Sequence, residues 1–301
     1  MSTDYAAAPP IPLPPLAITA VHWELEALSP GCLPPFKGSA LRGTLGWAIE
    51  RVARAAPAPP WPGLSPAADF LAALFSPQLA WRASASSAVH LWHLQCADPR
   101  THWQRGERLA GRFLLFGPWP EWAIALWRDI FDAVCEQGFA GAQAPRFAVA
   151  AWIERRQSWL PAPAAPQQAC LQLLTPARLQ DRGQDLTVLA APAVARSLLR
   201  RLRQLALQTG TRWDIDYPAL SHRCDALLGD ELSAGIGLQR WSNRQRQRIA
   251  MPGVVGQLLI SGPALPELAP LIAQAPLLHI GRQPNFGYGQ SAITWNPIEA
   301  L

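Results

Sequence analysis

Hydrophobic and polar positions alternate along "LAITAVHWELEAL" (Leu16–Leu28), the pattern of a strand with one face buried. From Gly38, "GSALRGTLGWAIERVARA" reads as a glycine-rich turn running into a helix. In "GRFLLFGPWPEWAIALWRDI", from Gly111, an apolar run is stopped by Gly-Pro, and Pro-Glu then opens an apolar segment. That is a strand, a turn and a helix, with proline and glutamate where a first helical turn favours them. "GQLLISGPALPELAPLIAQA", from Gly256, repeats those features in the same order. Both copies also close alike, in "GFAGAQAPRFAVAAW" (Gly138–Trp152) and "HIGRQPNFGYGQSAITW" (His279–Trp295). Each close is a glycine turn, a Gln and a Pro, a Phe, and an alternating strand ending in Trp.

The segments before the two copies correspond as well. "ACLQLLTPARL" (Ala169–Leu179) is a strand stopped by Thr175-Pro176. "VARSLLRRLRQLALQ" (Val194–Gln208) is an amphipathic helix with Val194, Leu198, Leu202 and Leu205 on one stripe. Each half thus predicts strand–helix–strand–strand–helix–strand. The expected class is α+β, with two tandem ferredoxin-like (RRM-like) domains over residues 1–158 and 170–301. "WLPAPAAPQQA" (Trp159–Ala169) reads as a short Pro/Ala linker. A Pro/Ala/Ser-rich insertion is expected at about 57–100, with a helix around Ala67–Phe75. This topology is a common RNA-binding scaffold, though it assigns no function alone.

Charge sharpens the picture. Residues 1–150 hold 11 basic and 11 acidic side chains; residues 151–301 hold 15 and 10, so the whole excess of +5 lies in the second half. Of the 26 basic residues one is a lysine, Lys37. Arginine suits phosphate because its fork donates bidentately and stays charged, although a GC-rich genome produces the same bias. The five cysteines never form CxxC, which argues against a disulfide framework and a cysteine zinc site. The N-terminus lacks the basic start and unbroken apolar core of a signal peptide, and prolines interrupt the best apolar window. The expectation is a reduced, cytoplasmic protein.

Few residues offer catalysis. His90, His93 and His102 have no acid or cysteine pair at metal spacing. His22 falls on the face of its strand opposite Val21 and Trp23, so it is either exposed or turned toward a site. Asp214 and Asp216 alternate along a strand-like "RWDIDY" and read as solvent-facing. No GxSxG, Walker loop, HExxH or dinucleotide fingerprint occurs. Two stretches stand out. "PPFKGSALRGTLG" sets Lys37 and Arg42 about a glycine-rich helix start, which suits a phosphate or simply lets the helix pack closely. "RWSNRQRQR" places Arg240, Arg244, Arg246 and Arg248 within nine residues without an acid. Read as one extended strand, it turns the last three arginines to one face, with Trp241 free to stack a base.

"LPPFKGSALRGTLG" (Leu33–Gly46), "LQLLTPARL" (Leu171–Leu179), "RWSNRQRQRIAMPGVVGQLLISG" (Arg240–Gly262) and "IGRQPNFGYGQ" (Ile280–Gln290) come in a telling order and spacing. Over nearly its whole length the chain resembles the CRISPR-associated RAMP endoribonucleases that process precursor crRNA. Its arginine-rich, histidine-poor character is most similar to the type IV branch.

The resemblance implies metal-independent cleavage without a cofactor. The ribose 2′-hydroxyl attacks the adjacent phosphate, leaving 2′,3′-cyclic phosphate and 5′-hydroxyl ends. Partners implied are the CRISPR repeat RNA, the retained crRNA and other effector subunits. Relatives place a histidine near the first helix; here Lys37 and Arg42 stand there. The catalytic set implied is therefore Arg42, Lys37 and Arg244, with His22 as a fallback. RNA contacts fall to Arg240, Trp241, Arg246, Arg248, Gly281, Arg282, Phe286, Gly287 and Tyr288. For Phe286, filling the core stands beside that role. The cysteine cluster many relatives carry is missing, so no zinc is implied. A non-catalytic RAMP subunit that coats crRNA would show the same arginines and glycines.

Overall fold

A computed structural model describes residues 9–55, 89–119, 121–139, 143–242 and 247–296, with Ala53–Ala55, Arg240–Ser242 and Arg248 described in their backbone alone. The N-terminal half runs β1 (Ile18–Ala27), β2 (Gly31–Cys32), α1 (Gly38–Ala55), β3 (Trp92–Gln95), β4 (His102–Trp103), β5 (Arg108–Phe116), α2 (Glu121–Gln137) and β6 (Phe147–Arg156). Four of these strands form an antiparallel sheet in the order β3-β5-β1-β6, while β2 and β4 pair separately.

The C-terminal half runs β7 (Ala169–Leu173), β8 (Gln180–Asp181), β9 (Gln184–Asp185), α3 (Ala191–Gln208), α4 (Tyr217–Arg223), β10 (Leu228–Ser242), β11 (Gln247–Ser261), α5 (Leu265–Ile272), α6 (Ala275–Leu278) and β12 (Ser291–Trp295). Its sheet order, β10-β11-β7-β12, repeats that of the first. Both halves are ferredoxin-like, as the repeated turns predict.

Alternation in β1 divides the N-terminal sheet into two faces. Val21, Trp23 and Leu25 are buried against Leu41 and Leu45 of α1 and Trp127 and Phe131 of α2. Trp23 meets Phe131 at 4.9 Å and Phe113 meets Trp127 at 4.8 Å, between ring centres. On the opposite face, Ile18, Ala20, Leu114 and Phe116 join the core of the C-terminal half, with Leu198, Leu202 and Leu277. The first sheet is thus covered on one side by its own helices and in part on the other by the second half.

Three expectations change. Trp92–Gln95, read within the insertion, is the edge strand β3; four residues are too few to show a period. The rest of that insertion, including the helix expected at Ala67–Phe75, lies outside the described residues. "RWDIDY" forms no strand. Asp216 instead caps α4, accepting from the Ala219 N–H at 3.0 Å, with Pro218 in the first turn. Finally, the second copy's helix is divided into α5 and α6, with Pro276, which has no N–H for a continuing helical ladder, in the first turn of α6. The linker is tied down: Trp159 donates to the Pro14 carbonyl at 2.8 Å, and Gln274 bonds the Leu160 backbone both ways. No helix among the described residues is long and apolar enough to cross a membrane.

Candidate nucleic-acid interface

The glycine-rich stretch 281–290 forms the seam between the halves. Gly281 (φ +78°) and Gly289 (φ +71°) take left-handed conformations, and a Cβ there would collide with the Arg178 and Ile280 carbonyls. α3 fastens the turn: Ser197 accepts from the Gly281 N–H at 2.9 Å, and the Arg201 guanidinium donates to the Gly281 carbonyl. Burial lowers the Arg201 pKa to about 10. From "LQLLTPARL", the Thr175 hydroxyl donates to the Gly287 carbonyl at 2.7 Å and accepts from the Gln290 N–H at 2.9 Å. That explains why these two separated motifs occur together.

Tyr288 corrects the sequence reading. It is fully buried, donates to the Met251 carbonyl at 3.1 Å and meets Phe36 edge-on at 4.8 Å, so its ring is core. Gly281 and Gly287 are also buried and serve the fold of the turn. Phe286 is half-buried and Arg282 is exposed. A cation the sequence reading passed over stands beside them: half-buried Arg178, whose Nη1 donates to Gln283 at 3.0 Å. Its signal was available, since it is the arginine of "TPAR".

The start of α1 packs directly on this turn. Gly38 is buried, and a Cβ there would strike the Phe286 carbonyl. Lys37 is likewise buried, its ammonium donating to the Asp98 and Arg100 carbonyls at 2.6 Å each and to Pro34 at 3.3 Å. Desolvation lowers its pKa. This corrects the sequence reading: all three of its protons are taken, and Lys37 clamps the α1 entry to the 98–100 loop. Arg42, one turn on, lies 5.4 Å from the Phe286 ring centre and 5.8 Å from that of Trp92.

His22 is elsewhere. It sits on the opposite sheet face, across from Arg112 on β5 and Ile153 on β6. Its pKa is lowered by burial and then by Arg112 and Arg155. On that same face Gln95 donates to the Pro276 carbonyl at 2.6 Å and to the His279 ring at 2.9 Å, while Arg112 donates to Gln95. His93 donates from Nδ1 to the Leu277 carbonyl at 3.1 Å, and His279 from Nδ1 to the Tyr288 carbonyl at 2.8 Å. The two imidazoles are 5.1 Å apart. Burial keeps both neutral, holding the pKa of His93 well below its ordinary value and that of His279 at about 3. These histidines hold the domains together; among the described residues, no His, Cys, Asp and Glu cluster could hold a metal ion.

The arginine-rich segment belongs to two strands. β10 and β11 pair from Leu228↔Ser261 to Ser242↔Gln247, whereas β11 meets β7 only over Gln257–Ile260. Beyond a bridge at Ala177↔Val254, the hairpin extends as a two-stranded ribbon of seven residues per strand, roughly 23 Å long. Of the single extended track expected for Arg244, Arg246 and Arg248, the described residues hold Arg248 alone. Arg240 and Trp241 end one strand and Arg248 begins the other, with Trp241 opposite Arg248. Arg244 and Arg246 lie outside the described residues.

A family model described as CRISPR-associated endoribonuclease Cas6 matches residues 171–291. This interval holds the ribbon and the glycine-rich turn. The match covers the greater part of the C-terminal half, which is thus similar to that family. A second model, described as an N-terminal domain, matches residues 15–158. Thermus thermophilus Cas6 superposes with a TM-score of 0.57 at 14% identity, over 93% of this chain and 99% of its own. A Cas6 product complex gives 0.57 at 16%, over 92% and 99%. A partial Cas6-RT-Cas1–Cas2 complex gives 0.61 at 8%, over 95% of this chain and 47% of its own. No curated protein sequence matches. At these identities the structural matches establish a shared two-domain fold.

Proposed function

We propose that the protein binds the hairpin of a CRISPR repeat and cleaves precursor crRNA without a metal ion. The observation that carries this reading is Arg42, held against Phe286 where α1 meets the glycine-rich turn of the Cas6-like half. The 2′-oxygen attacks phosphorus, the bond to the 5′-oxygen breaks, and the products carry a 2′,3′-cyclic phosphate and a 5′-hydroxyl. Arginine does not deprotonate near neutral pH, so Arg42 and Arg244 stabilise the negative charge of the transition state while solvent exchanges the protons. The ribbon arginines and Arg282 hold the phosphates of the hairpin, and the processed guide stays bound for delivery to other CRISPR subunits. The matched structures, which include a Cas6 product complex and a Cas6-RT-Cas1–Cas2 complex, support such partners.

A second reading is a RAMP subunit that binds crRNA without cutting it. It is favoured by Lys37 being occupied and by His22 lying on the far sheet face, which leave neither of them to transfer a proton at the start of α1. Incubation with end-labelled repeat RNA in EDTA decides between them. Cleavage to a cyclic phosphate supports the enzyme; tight binding with intact RNA supports the subunit.

A further inference from the structure

Three residues spaced four apart on α1 form an arrangement that the cleavage reading does not use. Gly43 is exposed within the helix, and a side chain built there would meet nothing within 4 Å. One turn later Trp47 is 39% exposed. On the next turn the Arg51 guanidinium lies 5.5 Å from the centre of the Trp47 ring, held by Glu136 at 2.6 Å. Residues four apart on a helix are neighbours on its surface. Arg51 thus lies beside the indole, and the Gly43 position, one helical turn or about 5.4 Å before it, carries no side chain.

Both positions forgo stability. Glycine is the poorest helix former after proline, and an exposed indole leaves a large apolar surface in water. A flat aromatic surface beside an empty helical position fits one chemical class closely, a nucleobase, which stacks on tryptophan whatever its identity. Arg42 immediately precedes the Gly43 position and lies against Phe286, so a strand whose base stacks on Trp47 crosses the same first two turns of α1 that carry Arg42.

We propose that Trp47 stacks a base of the RNA adjacent to the cleaved bond, with Gly43 leaving the room for it. The proposal rests on the reading of Arg42 as the cleavage-site cation. Arg51 lies beside the ring and adds positive charge near the strand.

Binding and single-turnover cleavage of the repeat hairpin, with nucleotides around the cleaved bond replaced singly by abasic residues, test it. In the wild-type protein, one abasic position should weaken affinity about tenfold or more. Trp47→Ala should show the same loss on intact RNA and no further loss at that position, while Trp47→Phe should keep most of the affinity. Gly43→Leu should raise the melting temperature, leucine being a better helix former, yet weaken binding because its side chain fills the slot. Trp47→Ala and Gly43→Leu proteins that bind and cut intact RNA like the wild type would overturn the proposal. So would losses that add independently at every abasic position. A wild-type protein that binds the hairpin but leaves it uncut contradicts the cleavage reading instead, and the stacking site is then judged on affinity alone.

Discussion

His22 and Arg42 stand on opposite faces of one sheet: His22 lies across from Arg112 on the open face, and Arg42 over Trp92 on the face that α1 covers. A single phosphate cannot contact both. Arg42→Ala should therefore lower single-turnover cleavage by about a hundredfold or more while affinity changes little. His22→Ala should leave the rate largely intact. A His22→Ala protein that binds RNA but does not cut it, beside an active Arg42→Ala protein, would reassign the reaction to the histidine.

Lys37 makes a contrasting case. Its ammonium joins α1 to carbonyls 61 and 63 residues further along the chain. Lys37→Met would remove the donor from those part-buried carbonyls, at a cost of about 1–3 kcal/mol for each lost bond. Urea unfolding should show a loss of about 3 kcal/mol or more. An unchanged midpoint would show that the clamp does not contribute to the fold.

How much of this was legible follows from which signals are local. The tandem order could be read because Gly-Pro stops and Pro-Glu helix starts recur in both halves within twenty residues. β10 was harder, since most of its side chains are exposed and no apolar period marks it. Lys37 beside a glycine-rich helix start looked like a phosphate ligand, because nothing near it in sequence reveals that Asp98 and Arg100 accept its protons. Tyr288 failed for the same reason. A tyrosine between two glycines suggests an exposed loop, and the burying partners, Met251 and Phe36, are far away in the chain.

The buried imidazoles predict a pH dependence. Both folded pKa values are lowered from 6.5, that of His279 to about 3. The unfolded chain therefore takes up protons that the folded one refuses, and stability present above pH 6.5 falls as pH drops below it. Each histidine should remove up to about 1.4 kcal/mol per pH unit, so both together cost roughly 2–3 kcal/mol between pH 7.5 and 5.5. Urea titrations at the two pH values measure this, and His279→Asn should remove about half of the difference. Equal stability at both pH values would mean that the imidazoles are not held neutral in the seam.

The ribbon makes the last prediction, because its contribution can be separated from cleavage chemistry by salt. A two-stranded hairpin extending beyond its sheet is marginally stable alone, so a polyanion lying along its arginines stabilises it. Each arginine that neutralises a phosphate releases condensed counterions, adding about 0.7–0.9 to the slope of log affinity against log salt. Changing Arg240, Arg244, Arg246 and Arg248 together to alanine should therefore reduce that slope by about 3. Affinity for the repeat hairpin should fall steeply at low salt, and the difference from the wild type should shrink as salt rises. The strand pairing from Leu228↔Ser261 to Leu238↔Met251 involves none of these side chains, so the fold should survive and circular dichroism should match the wild type. Filter binding across a range of salt concentrations reads both quantities. An unchanged slope in the quadruple variant would remove the ribbon from the RNA interface and leave Arg282 and Arg178 as its remaining cations.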